Sequence, residues 1–399
     1  MRSHSIISVV DRRIAPLLKE LFRRYPLVTV TGPRQSGKTT LCRAALPELA
    51  YVNLESPEHR QFAEEDPKRF LATWPGGVIL DEIQRVPSLL SWLQVFADDH
   101  GGNGLFVLTG SGQFLLSEAI DQSLAGRTAL LRLLPFSLEE LRDAGTDAGV
   151  DDMLFTGFYP RIHDQGLDPR QALGDYIETY VERDVRRMLE VRNLTAFQRF
   201  VRLCAGRVGQ LLNFSRLGAD AGVTHTTARH WLSVLEASYI LFRLPPYHGN
   251  VSKRLVKSPK LYFHDVGLAS WLLGIESARQ LGTHPLRGAL FENAVVAEAL
   301  KHGYNRGRRP ELSFFRDARG LECDLLYPSE GRILALEAKS GATIASDWFA
   351  GLAEVRSLVS GCAAGAVIHG GDEYQERSTG TALPIGALDD LLERFDGQR

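Results

Sequence analysis

The sequence predicts an α/β chain in three parts: a parallel-sheet core over residues 1–145, a helical and winged-helix part over 146–275, and a second α/β part over 276–399. Three observations lead there. An apolar strand runs into a glycine-rich loop and then a helix. Further on, a helix, a glycine turn and a second helix follow one another. Near the end, two alternating strands each present charged side chains on one face. At 399 residues the chain exceeds one ordinary core, and about 100 to 200 residues per domain gives two or three.

Composition narrows the classes. Hydrophobic content of 44% is enough to build sizeable cores, which argues against disorder. Cys42, Cys204, Cys323 and Cys362 are widely separated and show no paired spacing, so neither a disulfide framework nor a zinc site is expected. No stretch reaches the roughly 18 apolar residues of a membrane span, and Met1 to Val10 lacks the apolar centre of a signal peptide. A cytoplasmic protein is therefore predicted. The formal net charge of -2 excludes a polycation, so any nucleic-acid contact must come from local basic clusters.

In the first part, Leu27 to Thr31 reads as a short buried strand. It leads directly into Gly32, Pro33, Arg34, Gln35, Ser36, Gly37, Lys38 and Thr39, the pattern GxxxxGKT, and a helix is expected over Thr40 to Leu46. The order matters physically. The glycine loop turns backbone N–H groups toward a phosphate while the helix presents its positive end to the same anion. Lys38 then reaches the β and γ phosphates of ATP, and the Thr39 hydroxyl suits magnesium, a hard cation that prefers oxygen.

A second strand, Val78 to Leu80, ends in Asp81 and Glu82 at the carboxyl edge of the sheet. Asp81 is assigned to magnesium and Glu82 to the water that attacks the γ phosphate. A third strand, Leu105 to Leu108, ends near Thr109 and Ser111, which are placed to sense that phosphate. Arg127 stands before the apolar run Thr128 to Leu134, where its charge could stabilise the transition state; a plain surface arginine is the alternative.

GPRQSGKTT, VILDEIQRVP, LTGSGQFLL and SLAGRTALLRLLPFSLEEL together resemble the AAA+-type ATPases of bacteria and archaea that carry a C-terminal domain of unknown function. Asp175 to Leu189, Arg287 to Ala299 and Phe314 to Lys339 resemble that family's C-terminal half, so the likeness spans essentially the whole chain. The resemblance implies a ring-forming ATPase that binds ATP near a subunit boundary, where Arg127 would act in trans on a neighbouring copy. The sequence departs from better-studied ring ATPases over Leu138 to Val150, where a Gly/Asp-rich linker replaces an arginine-bearing lid.

The middle part is expected to be helical over Asp151 to Arg192, with Tyr176, Tyr180, Val181, Val185 and Leu189 on one face and Arg183, Arg186 and Arg187 opposite. Phe214 to Gly222 and His225 to Ser238 read as a helix-turn-helix whose second helix is capped by Thr224. Ala228, Trp231, Leu232 and Leu235 would face the core. Thr226, Arg229, His230 and Ser233 would face outward, where they suit phosphates and base edges of DNA. A strand is expected over Tyr239 to Leu244. The basic stretch Lys253, Arg254, Lys257 and Lys260 would complete a wing along a phosphate backbone. A protein-binding or purely structural winged helix is the alternative.

In the last part, Arg287 to Leu300 reads as an amphipathic helix carrying Glu292. Leu321 to Leu326 and Ile333 to Lys339 read as a hairpin in which Glu322 and Asp324 share one face, as do Glu337 and Lys339. This set resembles the PD-(D/E)xK nuclease core of restriction-endonuclease-like folds. That resemblance implies Glu292 as the helix acid, Asp324 and Glu337 as metal ligands, and Lys339 as the residue that orients water. A decayed nuclease fold kept for scaffolding or DNA binding is the alternative. The reading favoured by the sequence is a DNA-associated, oligomeric ATPase; a nucleotide-dependent switch and an ATP-gated nuclease are its rivals.

Overall fold

The computed structural model describes residues 10–110, 124–185, 193–249, 256–378 and 380–397, the side chains of 182–185 excepted. Ser111, Arg186, Arg187, Leu189, Lys253 and Arg254 lie outside the described residues, as do the side chains of Arg183 and Val185.

The first part is a five-stranded parallel sheet. Its strands are β1 (Leu27–Thr31), β2 (Ala50–Asn53), β3 (Val78–Asp81), β4 (Phe106–Thr109) and β5 (Thr128–Arg132), in the spatial order β2-β3-β4-β1-β5. β1, β3 and β4 are buried along their whole length, which is why β3 and β4 read as nearly continuous apolar runs, while β1 interposes Thr29 and Thr31. Alternation shows in which layer each side chain enters. Val28 and Val30 pack with Leu18 and Leu41 on one face, while Leu27 packs with Leu80 and Leu93 on the other. The glycine loop leaves β1 at its carboxyl edge and feeds the helix Lys38–Ala45, which starts two residues before the expected Thr40.

The expected linker over Leu138 to Val150 is largely helix. Leu138–Asp143 is held by a reciprocal cap between Ser137 and Glu140, and six residues, 144–149, which include Gly145 and Asp147, join it to Val150–Thr156. Pro160–Gln165 and Pro169–Tyr176 follow, the latter continuing as a π-helix over Ile177–Val185.

Phe214–Ala221 and His225–Ala237 form the helix pair read from the sequence. Gly222 ends the first helix at φ 78, and the Thr224 side chain accepts from the Thr227 amide at 3.1 Å to start the second. Ala228, Trp231, Leu232 and Leu235 are buried, and Thr226, Arg229, His230 and Ser233 are exposed. β6 (Leu241–Leu244) pairs antiparallel with β7 (Lys260–Phe263). Tyr239, expected to open β6, is instead a turn residue at φ 53. Lys260, expected on a solvent-facing wing, is 2% exposed inside β7.

The last part places the helix Arg287–Asn305 against a six-stranded sheet of β8 (Ser313–Arg316), β9 (Glu322–Ser329), β10 (Arg332–Lys339), β11 (Cys362–His369), β12 (Gln375–Arg377) and β13 (Gly380–Pro384). The order is β12-β13-β11-β10-β9-β8. β8, β9 and β10 run antiparallel, whereas β10 and β11 are parallel and joined across the helix Ala350–Leu358. One apolar core runs through the middle and last parts and takes in Val10, Leu134 and Phe136 from the first. The three parts therefore share a core.

Candidate nucleotide site and a second charged centre

The glycine loop is shaped by two residues that must be glycine. Gly32 has φ 148, and a Cβ there would lie 2.0 Å from the Leu133 carbonyl oxygen. Gly37 has φ 87 and stands at the start of the helix Lys38–Ala45. Between them, Gln35 is also left-handed at φ 60, and Ser36 Oγ donates to the Pro33 carbonyl at 2.9 Å, which closes the turn. Lys38 is buried and folds back onto the loop, donating from Nζ to the carbonyls of Gly32 at 3.0 Å and Pro33 at 2.8 Å. Burial pushes its ammonium down to about 8, against the pull of Glu82 and Asp81.

Asp81 ends β3 beside the loop. Its Oδ2 accepts from Thr39 Oγ1 and from the Tyr51 hydroxyl, each at 2.8 Å, and the Thr109 hydroxyl donates to Oδ1. The pair assigned to magnesium is thus in contact, and Thr109, from the neighbouring strand, joins it. Glu82 is held in the left-handed region at φ 57, with its carboxylate accepting from the Gln84 amide. Left-handed backbone at a non-glycine residue is costly, and it turns Glu82 out of the strand beside Asp81.

Arg127 does not reach the glycine loop of its own chain. It precedes β5, whose Thr128 aligns with Leu27 at the start of β1, so it lies at the amino edge of the sheet. The strand separates it from the loop by roughly 13 Å. Its guanidinium pairs instead with Asp98, at 2.6 and 2.8 Å.

Sequence reading missed the residues that cover the loop. Arg12 donates to the Ser36 carbonyl and the Leu134 carbonyl, both at 2.7 Å, and to Glu140 at 3.1 Å. Pro160 lies 3.9 Å from where a Gly37 Cβ would stand, and the Arg34 guanidinium sits 5.2 Å over the Tyr180 ring. Tyr239 OH lies 3.3 Å from Thr31 Oγ1. A cavity of about 420 Å³ opens beside the loop, lined by Arg12, Gln35, Thr40, Phe136, Pro160 and Arg161 among others. The one signal in the sequence was a proline opening a short helix just past a glycine, and nothing local tied it to a loop more than a hundred residues earlier.

The acids of the last part do converge, but on an ammonium. Lys260 Nζ lies 2.8 Å from Glu292, 2.6 Å from Glu322 and 3.6 Å from Asp324. Asp324 also accepts from the Ala338 amide at 2.9 Å, and Lys339 pairs with Glu337 at 2.7 Å rather than standing free to orient water. Among the described residues, no group of three His, Cys, Asp or Glu side chains is arranged to hold a metal ion. Asp324 and Glu337, the residues assigned to a metal, both lie at this centre, and a lysine from β7 supplies positive charge there. Four carboxylates face three cations here, counting Arg316 on Glu322 at 3.2 Å. Burial, with Asp324 alongside, pushes both Glu292 and Glu337 up to about 7.

Known proteins resemble the chain as follows. A family model described as an AAA domain matches residues 24–142, and two described as domains of unknown function match 147–279 and 287–388. An uncharacterized protein of Mycobacterium tuberculosis is 31% identical over 341 residues, covering 84% of this chain and 75% of that protein. An uncharacterized protein of Haemophilus influenzae is 23% identical over 309 residues, covering 69% of this chain and 74% of its own length. The Walker-type ATPase of Pyrococcus abyssi is 18% identical with a TM-score of 0.42, covering 68% of this chain and 97% of its own. No described helix is long and apolar enough to cross a membrane.

Proposed function

The chain belongs to the family of the uncharacterized Mycobacterium tuberculosis protein, and from the AAA domain it carries at residues 24–142 we propose that it binds and hydrolyses ATP with magnesium. The observation that carries the reading is the contact of Thr39 Oγ1 with Asp81 Oδ2 at 2.8 Å, directly beneath the glycine loop. A hydroxyl and a carboxylate suit a hard divalent cation, which when bound would neutralise charge on the β and γ phosphates. Gly32 and Gly37 leave room for backbone N–H groups to approach phosphate. Lys38, which rests on two loop carbonyls, exchanges them for phosphate oxygens. Glu82, turned out of the strand, takes the proton of the attacking water. The cavity lined by Thr40, Phe136, Pro160 and Arg161 has room for the base and ribose.

Contacts from residues 160–239 onto the loop support a coupling of nucleotide occupancy to the middle part, and through it to DNA. The exposed row Thr226, Arg229 and His230 supplies the contact chemistry, as Lys253 and Arg254 would from the segment beyond β6. Assembly into a homo-oligomer, with ring closure as one form, belongs to the same proposal. Lys260 at the centre of the acidic cluster argues against the nuclease reading. The test is magnesium-dependent ATP hydrolysis by the wild type, Lys38→Ala and Glu82→Gln, with and without single-stranded, duplex and branched DNA at low salt. Turnover raised by DNA and lost in both variants supports the proposal. Turnover indifferent to every DNA supports a switch that uses protein partners, and absence of turnover in the wild type refutes the ATPase assignment.

A further inference from the structure

A cavity of about 980 Å³, separate from the one beside the glycine loop, lies where all three parts of the chain meet. Arg132, at the carboxyl end of β5, enters it from the first part. Tyr239 and Phe242 come from the turn before β6 and from β6 itself, and His264 from just after β7. Tyr304 comes from the end of the helix Arg287–Asn305. The volume is at the upper end of the range of small-molecule sites, about 300 to 1,000 Å³.

Two features inside it are unexplained by folding. His264 is 5% exposed, and its Nδ1 has no hydrogen-bond partner among the described residues. Burial, with Lys301 and Arg132 adding to it, pushes its pKa down to about 3, so the imidazole is neutral and offers one acceptor and one donor. An unsatisfied buried ring nitrogen is destabilising, and a ligand atom that pairs with it removes that cost. The ring centroid lies 4.7 Å from that of Phe242, tilted against it, and 5.4 Å from that of Tyr239, edge-on. The second feature is Arg132. Its guanidinium donates to the Tyr304 hydroxyl at 2.8 Å and has no carboxylate partner among the described residues. By contrast, Arg243 at the rim is paired with Glu236 at 2.7 Å. A half-buried guanidinium that meets only a phenol is a seat for an anion.

Aromatic walls, a neutral imidazole with a free nitrogen, and a guanidinium without a counter-ion together describe a planar heteroaromatic ligand bearing an anionic group. We propose that this cavity is a second nucleotide site, distinct from the glycine loop, that takes a nucleoside monophosphate. The base lies against Phe242 with an edge hydrogen-bonded to His264, and the phosphate meets Arg132. The site borders the first: Arg132 pairs in register with Thr31, and the Tyr239 hydroxyl reaches the Thr31 side chain. Occupancy of this cavity therefore bears on the strand from which the glycine loop departs.

The test is equilibrium dialysis of the full-length Lys38→Ala protein with radiolabelled AMP, GMP, CMP and UMP, each up to millimolar concentration. At least one is expected to bind saturably at one per chain. In wild-type protein, saturating Mg-ATP should displace no more than a minor share of it. Arg132→Gln should weaken the monophosphate about tenfold or more while leaving the corresponding nucleoside unchanged, as loss of a charged hydrogen bond predicts. His264→Phe should weaken both. Phe242→Ala, at a half-buried position, provides an independent variant, and circular dichroism confirms that each protein is folded. Failure of all four nucleotides to bind, binding unaffected by Arg132→Gln and Phe242→Ala, or full displacement by Mg-ATP would each overturn the assignment. Saturable binding of a proline-rich peptide in place of the nucleotides would overturn it as well.

Discussion

Replacing Lys260 by methionine removes the charge from the acidic centre while keeping most of the stem, and the structure sets both the size and the pH dependence of the result. Breaking a buried pair by deleting one partner typically costs about 3–5 kcal/mol, because the partner charge is left uncompensated. Here Glu322 keeps Arg316, Asp324 keeps the Ala338 amide, and Glu292 keeps only the Tyr262 hydroxyl at 2.5 Å. Glu292 is therefore the group that responds. Burial already raises its pKa from 4.5 to about 7, against the ammonium's pull. Without the ammonium it rises further. A carboxylate whose folded pKa lies above its unfolded value stabilises the fold fully below the unfolded value and loses that contribution as pH climbs through the folded one. The deficit of Lys260→Met is thus expected to be small below pH 7, where Glu292 is protonated in both proteins, and to grow above it by at most about 1.4 kcal/mol per pH unit, to about 1.4 kcal/mol by pH 8 and about 3–4 kcal/mol by pH 9 to 10. Hydrogen exchange read on β7 and β9 should accelerate by roughly two to three decades at the higher pH. A loss below about 1 kcal/mol at about pH 9 to 10, or a loss that grows toward acid, would refute the reasoning.

Three shorter predictions concern the nucleotide site. Gly32→Ala places a Cβ 2.0 Å from the Leu133 carbonyl oxygen, so ATP binding should be lost and the thermal midpoint lowered; unchanged binding in a calorimeter would contradict the loop geometry. Because burial holds Lys38 at about 8, ATP binding at pH 8 should draw in about half a proton per chain and almost none at pH 6.5. Titrations in buffers of different ionisation enthalpy read that uptake, which should vanish in Lys38→Met. Arg127→Ala breaks an exposed pair with Asp98 at the far edge of the sheet, so turnover should stay within about twofold of wild type; a hundredfold fall would place the residue at a neighbouring copy's site.

What the sequence revealed and what it concealed divide along distance in the chain. The run from Leu27 to Thr39 was legible because strand, loop and helix are contiguous and each residue type is dictated by its neighbours. Asp81 was legible because a carboxylate ending a buried strand has few other reasons to be there. The helix pair around Gly222 was legible for the same local reason, down to which side chains of His225–Ala237 face the core. Lys260 was not. It sits in a basic stretch, which reads as a solvated wing, and the acids that bury it lie 32 to 64 residues later on a helix and a strand of another part. The distance of Arg127 from its own loop was hidden by edge ambiguity, since a residue flanking a strand gives no sign of which end of the sheet it will occupy until the pairing register is known. Residues that cover the loop, Arg12 and Pro160 among them, act through contacts that no spacing rule encodes.

The cover over the glycine loop has a consequence for how the protein comes into being. The motif is complete once residue 39 has been made, but Pro160, Tyr180 and Tyr239 leave the ribosome only later. Until then the nascent first part presents Leu134 and Phe136 without the core that encloses them in the finished chain. Competence to hold nucleotide is in this sense a report that the middle of the chain has arrived, and a fragment ending at residue 145 would carry every letter of the motif while lacking the ceiling that closes over it.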